Sequence, residues 1–338
     1  MCVILFANLA GGVISGCRTS TGVAPADSVT ANLVWPSPPA EPRVKYVGSY
    51  SCAKDLGARS SFWQRVVGFV AGESWERAKW VRPFGVAVDL NDSLCFTDTA
   101  TGSVGYFDRQ KRVLTRWDHT GDFRFVSPVA IAKNNEAIFI ADSGLKRVFS
   151  CDEKGRLNFI VDYPFERPSG VFARGDRLVV ADAGKNCILV FDLKGRLITQ
   201  FGKRGDQKGE LNIPTHLMID LAGLIYVSDS MNNRVQVFDE KGNVLHVIGT
   251  SGDSSGQFSR PKGVSVDSDG HVYVVDALFD NIQIFDRNGS FLLDIGTAGA
   301  APGEFWLPAG IAIGRDNRIY VADSYNNRIQ VFQYLASP

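Results

Sequence analysis

The chain carries no excess of either charge: 36 Lys and Arg stand against 36 Asp and Glu. A balance of this kind does not favour a polyanionic partner, so nucleic acid is not expected as a ligand. Histidine is scarce, with only His119, His216, His246 and His271, and a three-histidine zinc site would need three of these four to converge. No Cys-x-x-Cys-His run is present, which excludes attachment of a c-type haem. The apolar run at the amino terminus, residues 1–16, is too short to span a bilayer as a helix.

What the chain has is one sentence written six times. Three copies are plain: Ile213 to Asp239, Arg260 to Asp286 and Leu307 to Gln333. Three more, starting at Arg82, Ser127 and Arg167, keep the register. The loop prolines Pro83, Pro128, Pro168, Pro214, Pro261 and Pro308 fall at steps of 45, 40, 46, 47 and 47. An aspartate recurs at Asp98, Asp142, Asp182, Asp229, Asp276 and Asp323, with an aliphatic residue six positions after each. A period of 40–50 residues built from alternating segments indicates a propeller or an array of sheets. In the copy from Arg260, the turns Asp269-Gly270 and Asn288-Gly289 divide alternating strands, as hairpins require. The predicted fold is therefore all-β, with four strands per blade and six blades. The repeated aspartate is expected to accept hydrogen bonds from turn N–H groups.

The last copy stops one strand short. Near the front, Val44 to Gly48 (VKYVG) resembles the fourth-strand segment Leu245 to Gly249. It is expected to complete blade six and so remove the open sheet edges. The repeated RPxG, DxxNxR and IQVFD patterns resemble the NHL repeat over residues 44 to 335. Signal-like run, cysteine and proline-rich stretch before the propeller together resemble a bacterial NHL-repeat lipoprotein.

On this reading residues 1–16 are a lipoprotein-type signal peptide and Ile14-Ser15-Gly16-Cys17 is its lipobox, although no basic residue precedes Arg18. Cys17 carries the lipid, residues 17–43 form a proline-rich tether, and residues 44–338 form the propeller, with an insertion at 49–81. The expected place is a bacterial cell envelope, the domain held to a membrane by acyl chains. Cys95, Cys151 and Cys187 fall on strands of successive blades and are expected to be buried small groups rather than disulfide partners.

In a propeller, the loop entering each innermost strand and the loop leaving each second strand share one face, which is the expected binding surface. The residue at x of RPxG is Phe84, Val129, Ser169, Thr215, Lys262 or Ala309, and these six should ring the axial channel. At the next position five blades keep Gly or Ala, whereas the fourth has His216. The expected binding set is Phe84, Ser169, Thr215, His216 and Lys262 at the mouth, with Arg234, Phe279, Tyr325 and Arg328 from the loops around it. Catalytic residues, metal and cofactor are none on this reading. His119 and His246 fall on or near outer strands, and His271 starts a second strand at the opposite face. Asp267-Ser268-Asp269-Gly270 resembles a calcium loop only faintly, since the later Glu is missing.

The expected function is presentation of a propeller face to an envelope or extracellular protein. The alternative is a calcium- or zinc-dependent hydrolase or lyase centred on His216, because the resemblance extends to lyases and lactonases. A remote alternative is RNA binding, as in NHL propellers of tripartite-motif proteins, through Lys146, Arg147, Lys185, Arg234, Lys262 and Arg328. The non-repeating insertion should form a short helix over 60–72 on the binding face, with Trp63, Trp75 and Trp80 around it.

Overall fold

The computed structural model of the chain describes residues 33–59 and 79–336. Six antiparallel sheets stand in a ring, each running outward from an innermost strand that enters at a repeat proline. Blades one to five span Pro83–Trp117, Pro128–Ile160, Pro168–Phe201, Pro214–Ile248 and Pro261–Ile295. Blade six takes its inner strands from Ile311–Ile313, Arg318–Asp323 and Arg328–Tyr334. Its outer strand is Val44–Tyr50, paired antiparallel with the last strand from Val44↔Tyr334 to Tyr50↔Ile329. The ring closes as expected from the lone fourth-strand sequence. No helix among the described residues is long and apolar enough to cross a membrane.

Second strands such as Leu94–Asp98, Ile138–Asp142 and Val272–Asp276 are buried at every position, because each lies mid-sheet with a blade on either side. The cores lie between blades, not within them. Tyr273, Val275, Ile282 and Ile284 of blade five form one cluster with Ile319, Val321 and Phe332 of blade six. Equivalent clusters fill the other five seams. A lone blade would leave both apolar faces in water, so the ring is the unit of stability.

The repeated aspartates are all fully buried, and each clasps the loop that enters its own blade. Val81 and Arg82 donate backbone N–H groups to Asp98 at 2.8 and 3.2 Å. Glu166 and Arg167 do the same to Asp182, Ser259 and Arg260 to Asp276. The glutamine of the IQVFD pattern holds the linker before the blade. Gln330 accepts from Gly303 N–H at 2.9 Å and donates to the Glu304 carbonyl at 2.6 Å. Gly303 itself has φ +79°, and a Cβ there would strike Leu33 and Trp35. The runs Gly202/Gly205/Gly209, Gly249/Gly252/Gly256 and Gly296/Gly299/Gly303 are thus linker turns, and among the described residues each leads into a strand and not the helix that a phosphate loop would require.

Three expectations change. Leu33, Val34 and Trp35, read as part of the tether, belong to the propeller. Val34–Trp35 forms a fifth strand on Val44–Tyr50, and Trp35 packs edge-on against Phe332 at 5.7 Å. Trp80 is no part of an exposed aromatic surface: it is buried and lies 4.5 Å from the Phe96 ring, filling the seam between blades six and one. The described part of the insertion leaves and rejoins the propeller at the binding face, where Trp80 N–H donates to the Ser51 carbonyl and Val81 N–H to Asp98, but residues 51–59 run from there to the opposite face. Arg59 N–H donates to the Arg112 carbonyl at 2.7 Å, and the Arg112 guanidinium donates back to the Gly57 carbonyl. Arg112 sits in the turn between the third and fourth strands of blade one, on the opposite face. The proposed helix at 60–72, Trp63, Trp75, the signal segment and Cys17 lie outside the described residues.

The docked position of Trp35 is checked by urea denaturation. Trp35→Ala is expected to lower unfolding free energy by about 1–2 kcal/mol, the scale of losing a half-buried apolar contact. A free tether would give no change.

Candidate functional site

The RPxG and DxxNxR loops do share one face, because each clasping aspartate joins them. A second set of contacts ties this face from blade to blade. Ser143 Oγ donates to the Pro168 carbonyl, Ser169 Oγ to that of Pro214 at 2.7 Å, and Ser324 Oγ to that of Pro83 at 2.7 Å. Ser230 Oγ continues the series to Pro261. Ser169, one of the expected binding residues, is therefore part of the seam, and Thr215 is paired with the Ser230 hydroxyl at 2.6 Å.

The two arginines of the expected set are braces. Arg234 donates to Asp229 at 2.8 Å and to the carbonyls of Gln207 and Glu210. Arg328 donates to Asp323 at 2.7 Å and to the carbonyls of Ala300, Ala301 and Glu304. Their guanidinium groups fix the linker of their own blade and leave little to offer a ligand. Of the other cations on this face, Arg147 lies over the Phe123 ring and Lys185 over Tyr163.

The remaining mouth residues meet on the axis. Phe84 of blade one and His216 of blade four come from opposite sides of the ring, yet their rings stack at 5.9 Å. The Lys262 ammonium of blade five lies 5.3 Å from the Phe84 centroid. Beneath them runs an axial cavity of about 110 Å³ lined by the innermost strands, including His216. Lys133 and Arg174 also line it, and no carboxylate does.

The structure also explains why Gly or Ala stands two residues after the repeat proline in the other blades. A Cβ at Gly170 would approach the Thr215 carbonyl to 3.0 Å, and one at Gly310 would meet the Phe84 carbonyl at 2.5 Å. Neighbouring backbones touch there. At His216 the packing differs, and the Ser228 hydroxyl reaches across to the Lys262 carbonyl instead.

The electrostatics of this mouth are costly to the fold. Both His216 ring nitrogens are buried without a hydrogen-bond partner. Burial first, and the Lys262 charge second, hold the imidazole neutral, its pKa drawn down to about 3. Burial, then Arg260, lower the Lys262 ammonium to about 8. No hydrogen bond or ion pair to the Lys262 ammonium occurs among the described residues, and no three His, Cys, Asp or Glu side chains there converge as a metal site.

The other histidines stand as expected. His246 is on the exposed outer strand of blade four, His119 is in the linker after blade one, and His271 pairs with Asp267 at 2.9 Å on the far face. Asp267 also accepts from Asp269 and His271 N–H groups, closing a hairpin turn. Cys95, Cys151 and Cys187 are buried free thiols, the latter two pushed up to about 11 by burial.

Tyr325, expected on this face, belongs to a set defined by one repeat position. Two residues after the clasping aspartate, blades one to three have Ala100, Gly144 and Gly184, while blades four to six have Met231, Leu278 and Tyr325. These three are 46, 50 and 43 % exposed, and Trp306, 54 % exposed, stacks on Tyr325 at 5.6 Å. The Arg82 guanidinium lies over the other side of this group, 5.0 Å from the Tyr325 centroid. Phe279, the residue singled out by register, is half-buried next to the more exposed Leu278. The signal was a split between consecutive repeats, visible only on comparing one loop position across all six.

Lys262 should reveal itself in a pH series. Below about pH 8 it is charged in both states and the folded state bears the cost of burial. Between there and 10.5 the unfolded chain holds the extra proton, so stability from this group rises with pH. Lys262→Met is expected to be more stable than the parent at pH 7 by about 1–3 kcal/mol. Urea denaturation should show that gain shrinking by pH 9.5.

Comparison with known proteins agrees with the architecture. The family described as the NHL repeat matches residues 305–332, and one described as a 6-bladed beta-propeller matches residues 216–282. No curated protein matches the chain by sequence. Among solved structures, virginiamycin B lyase from Staphylococcus aureus is 14 % identical, with TM-score 0.56 over 76 % of this chain and 97 % of that one. A gluconolactonase from Xanthomonas campestris is 13 % identical, with TM-score 0.56 over 75 % and 86 %. An auxiliary nutrient binding protein from Bacteroides thetaiotaomicron is 12 % identical, with TM-score 0.59 over 75 % and 69 %. At such identities the likeness is one of fold, and enzymes and binding proteins share it. The chain is a six-bladed β-propeller that carries an NHL repeat.

Proposed function

We propose that the protein is a binding platform whose loop face docks a partner protein over blades four to six. The observation that carries this reading is the run of larger apolar side chains at one repeat position on blades four to six, beside the smaller exposed Val81 and Val126 of blades one and two. Met231, Leu278, Tyr325 and Trp306 project from the same loop level on consecutive blades. Blades one to three adopt the same fold with Ala or Gly at the equivalent position, so the architecture does not demand these side chains. Exposed apolar and aromatic groups gathered on one side of a surface mark interaction sites, and aromatic anchors contribute most to binding.

The metal-dependent hydrolase or lyase alternative has less to build on. It would need metal ligands around His216, and among the described residues no three His, Cys, Asp or Glu side chains gather there. RNA binding is likewise less supported, because Arg234 and Arg328 are engaged in their loops. We further propose that the platform is held to a bacterial envelope membrane through a lipid on Cys17, on the strength of Ile14-Ser15-Gly16-Cys17. Residues 18–32 would then separate the lipid from the ring.

Docking is tested by placing a photo-cross-linking amino acid at Leu278, Tyr325 or Ala100 in the full chain in its native cells. Discrete adducts from positions 278 and 325 and none from 100 are expected. Equal yields from all three positions, or none from 278 and 325, would remove this face as the docking surface. The location is tested separately by fractionation. Cys17→Ser should shift the protein from the membrane pellet to the soluble fraction, and an unchanged pellet would exclude the lipid anchor.

A further inference from the structure

We infer that the axial channel is a binding site for a small organic carboxylate, received at the Lys262–His216 mouth with Phe84 as its apolar floor. This site is distinct from the docking patch of blades four to six, and neither depends on the other.

Three independent observations lead to it. The first is the composition of the channel wall. In a chain with equal numbers of acidic and basic residues, the axial cavity is lined by Lys133, Arg174 and His216 and by no Asp or Glu. Lys133 reaches outward to Glu153 at 3.3 Å, but Arg174 forms no ion pair among the described residues, its guanidinium lying over the Phe172 ring. The channel wall therefore carries cations and no acid, with Glu153 and the Asp220 charge acting on Lys133 and Arg174 from outside it at the far end from His216, so its lining favours an anion over a cation.

The second is the pair of orphaned imidazole nitrogens. A neutral histidine always offers one N–H donor and one acceptor, and both atoms of His216 are buried without a partner in the wall of this cavity. Buried polar atoms left unpaired are costly, and such atoms in a cavity wall mark where a ligand or solvent completes the site. The position normally takes Gly or Ala, as in the other five blades, so the imidazole is not a requirement of the ring.

The third is the geometry of the mouth. The Lys262 ammonium lies over the Phe84 ring, which stacks on His216, with no counter-ion of its own among the described residues. A carboxylate placed here accepts from the Lys262 ammonium and from the His216 N–H, while its carbon skeleton lies on Phe84. The positive charge at the mouth is the Lys262 ammonium reinforced by the Arg260 guanidinium, whose field lowers the lysine pKa, and it favours an anion. A phosphate dianion is usually met by arginine forks or backbone nests, and the nearby guanidinium groups of Arg234 and Arg328 are occupied by Asp229, Asp323 and loop carbonyls.

The probe is benzoate, with benzamide as its neutral counterpart and inorganic phosphate as the competing anion. The full chain, labelled with 15N at histidine, is titrated with each, and the His216 ring resonances are followed alongside calorimetry. Benzoate is expected to bind at one saturable site and move the His216 nitrogen signals, while benzamide leaves them in place. Lys262→Met should weaken benzoate by roughly tenfold or more, the scale of one charge-assisted hydrogen bond. His216→Gln, which keeps a donor, should weaken it less than His216→Phe. Tyr325→Glu, in the docking patch, should leave benzoate affinity unchanged. The inference is overturned if benzoate does not saturate, if phosphate moves His216 and benzoate does not, or if Lys262→Met binds benzoate as the parent does.

Discussion

The buried aspartate is the interaction on which the rest of the molecule depends. A blade presents two apolar faces and can bury neither alone, so each must be delivered to its neighbour at a fixed angle. The aspartate at the end of every second strand does this by holding the backbone N–H groups of the loop that enters the same blade. A carboxylate in this position is desolvated, and burial raises the Asp323 carboxyl even though Trp306, Asn326 and Arg328 all donate to it. The cost is accepted six times because the clasp places the entering proline, and with it the innermost strand, on the axis. Arg234, Arg328 and the IQVFD glutamines extend the same network outward to the linkers.

Against this satisfied network the channel mouth is an exception. Every clasping aspartate has its donors, whereas His216 has none for either nitrogen and Lys262 has no counter-ion among the described residues. Two groups that weaken the fold are placed side by side, opposite a phenylalanine that crosses the axis to meet them. Unfavourable electrostatics confined to one concave place are characteristic of binding sites, where the ligand supplies what the fold withholds. The loop face has a second departure from sixfold regularity, the apolar side chains of blades four to six. The two departures concern different chemistry, charge within the channel and hydrophobic area beside it.

How far these features were legible depends on whether a residue repeats. The prolines, aspartates and alternating strands recur at constant spacing, and a constant spacing has one structural meaning. Val44–Tyr50 was recognisable as the missing outer strand from its likeness to Leu245 to Gly249, and it pairs as that likeness implied. Where the pattern stops, reading from local cues misled. The prolines after Trp35 suggested a spacer, but Trp35 has a hydrophobic seat on Phe332 that no local pattern reports. Trp80 was grouped with exposed aromatics because it lies in a non-repeating stretch, yet it fills the same kind of seam that Phe258 and Phe305 fill elsewhere.

The sequence by itself determined the number of blades, the strand order within them, the closure of the ring and the face on which the loops gather. Each of these follows from periodicity, since a side chain's position in a repeat dictates whether it faces a neighbour, the axis or solvent. Only the tertiary structure decided which mouth residues are available. Ser169 is taken up by a seam, Thr215 by Ser230 of its own blade and Arg234 and Arg328 by loops, while Phe84, His216 and Lys262 remain together at the axis. Those three come from blades one, four and five, some 130 and 46 residues apart along the chain. Closing the ring brings them together, and a contact made by closure has no signature within any single repeat.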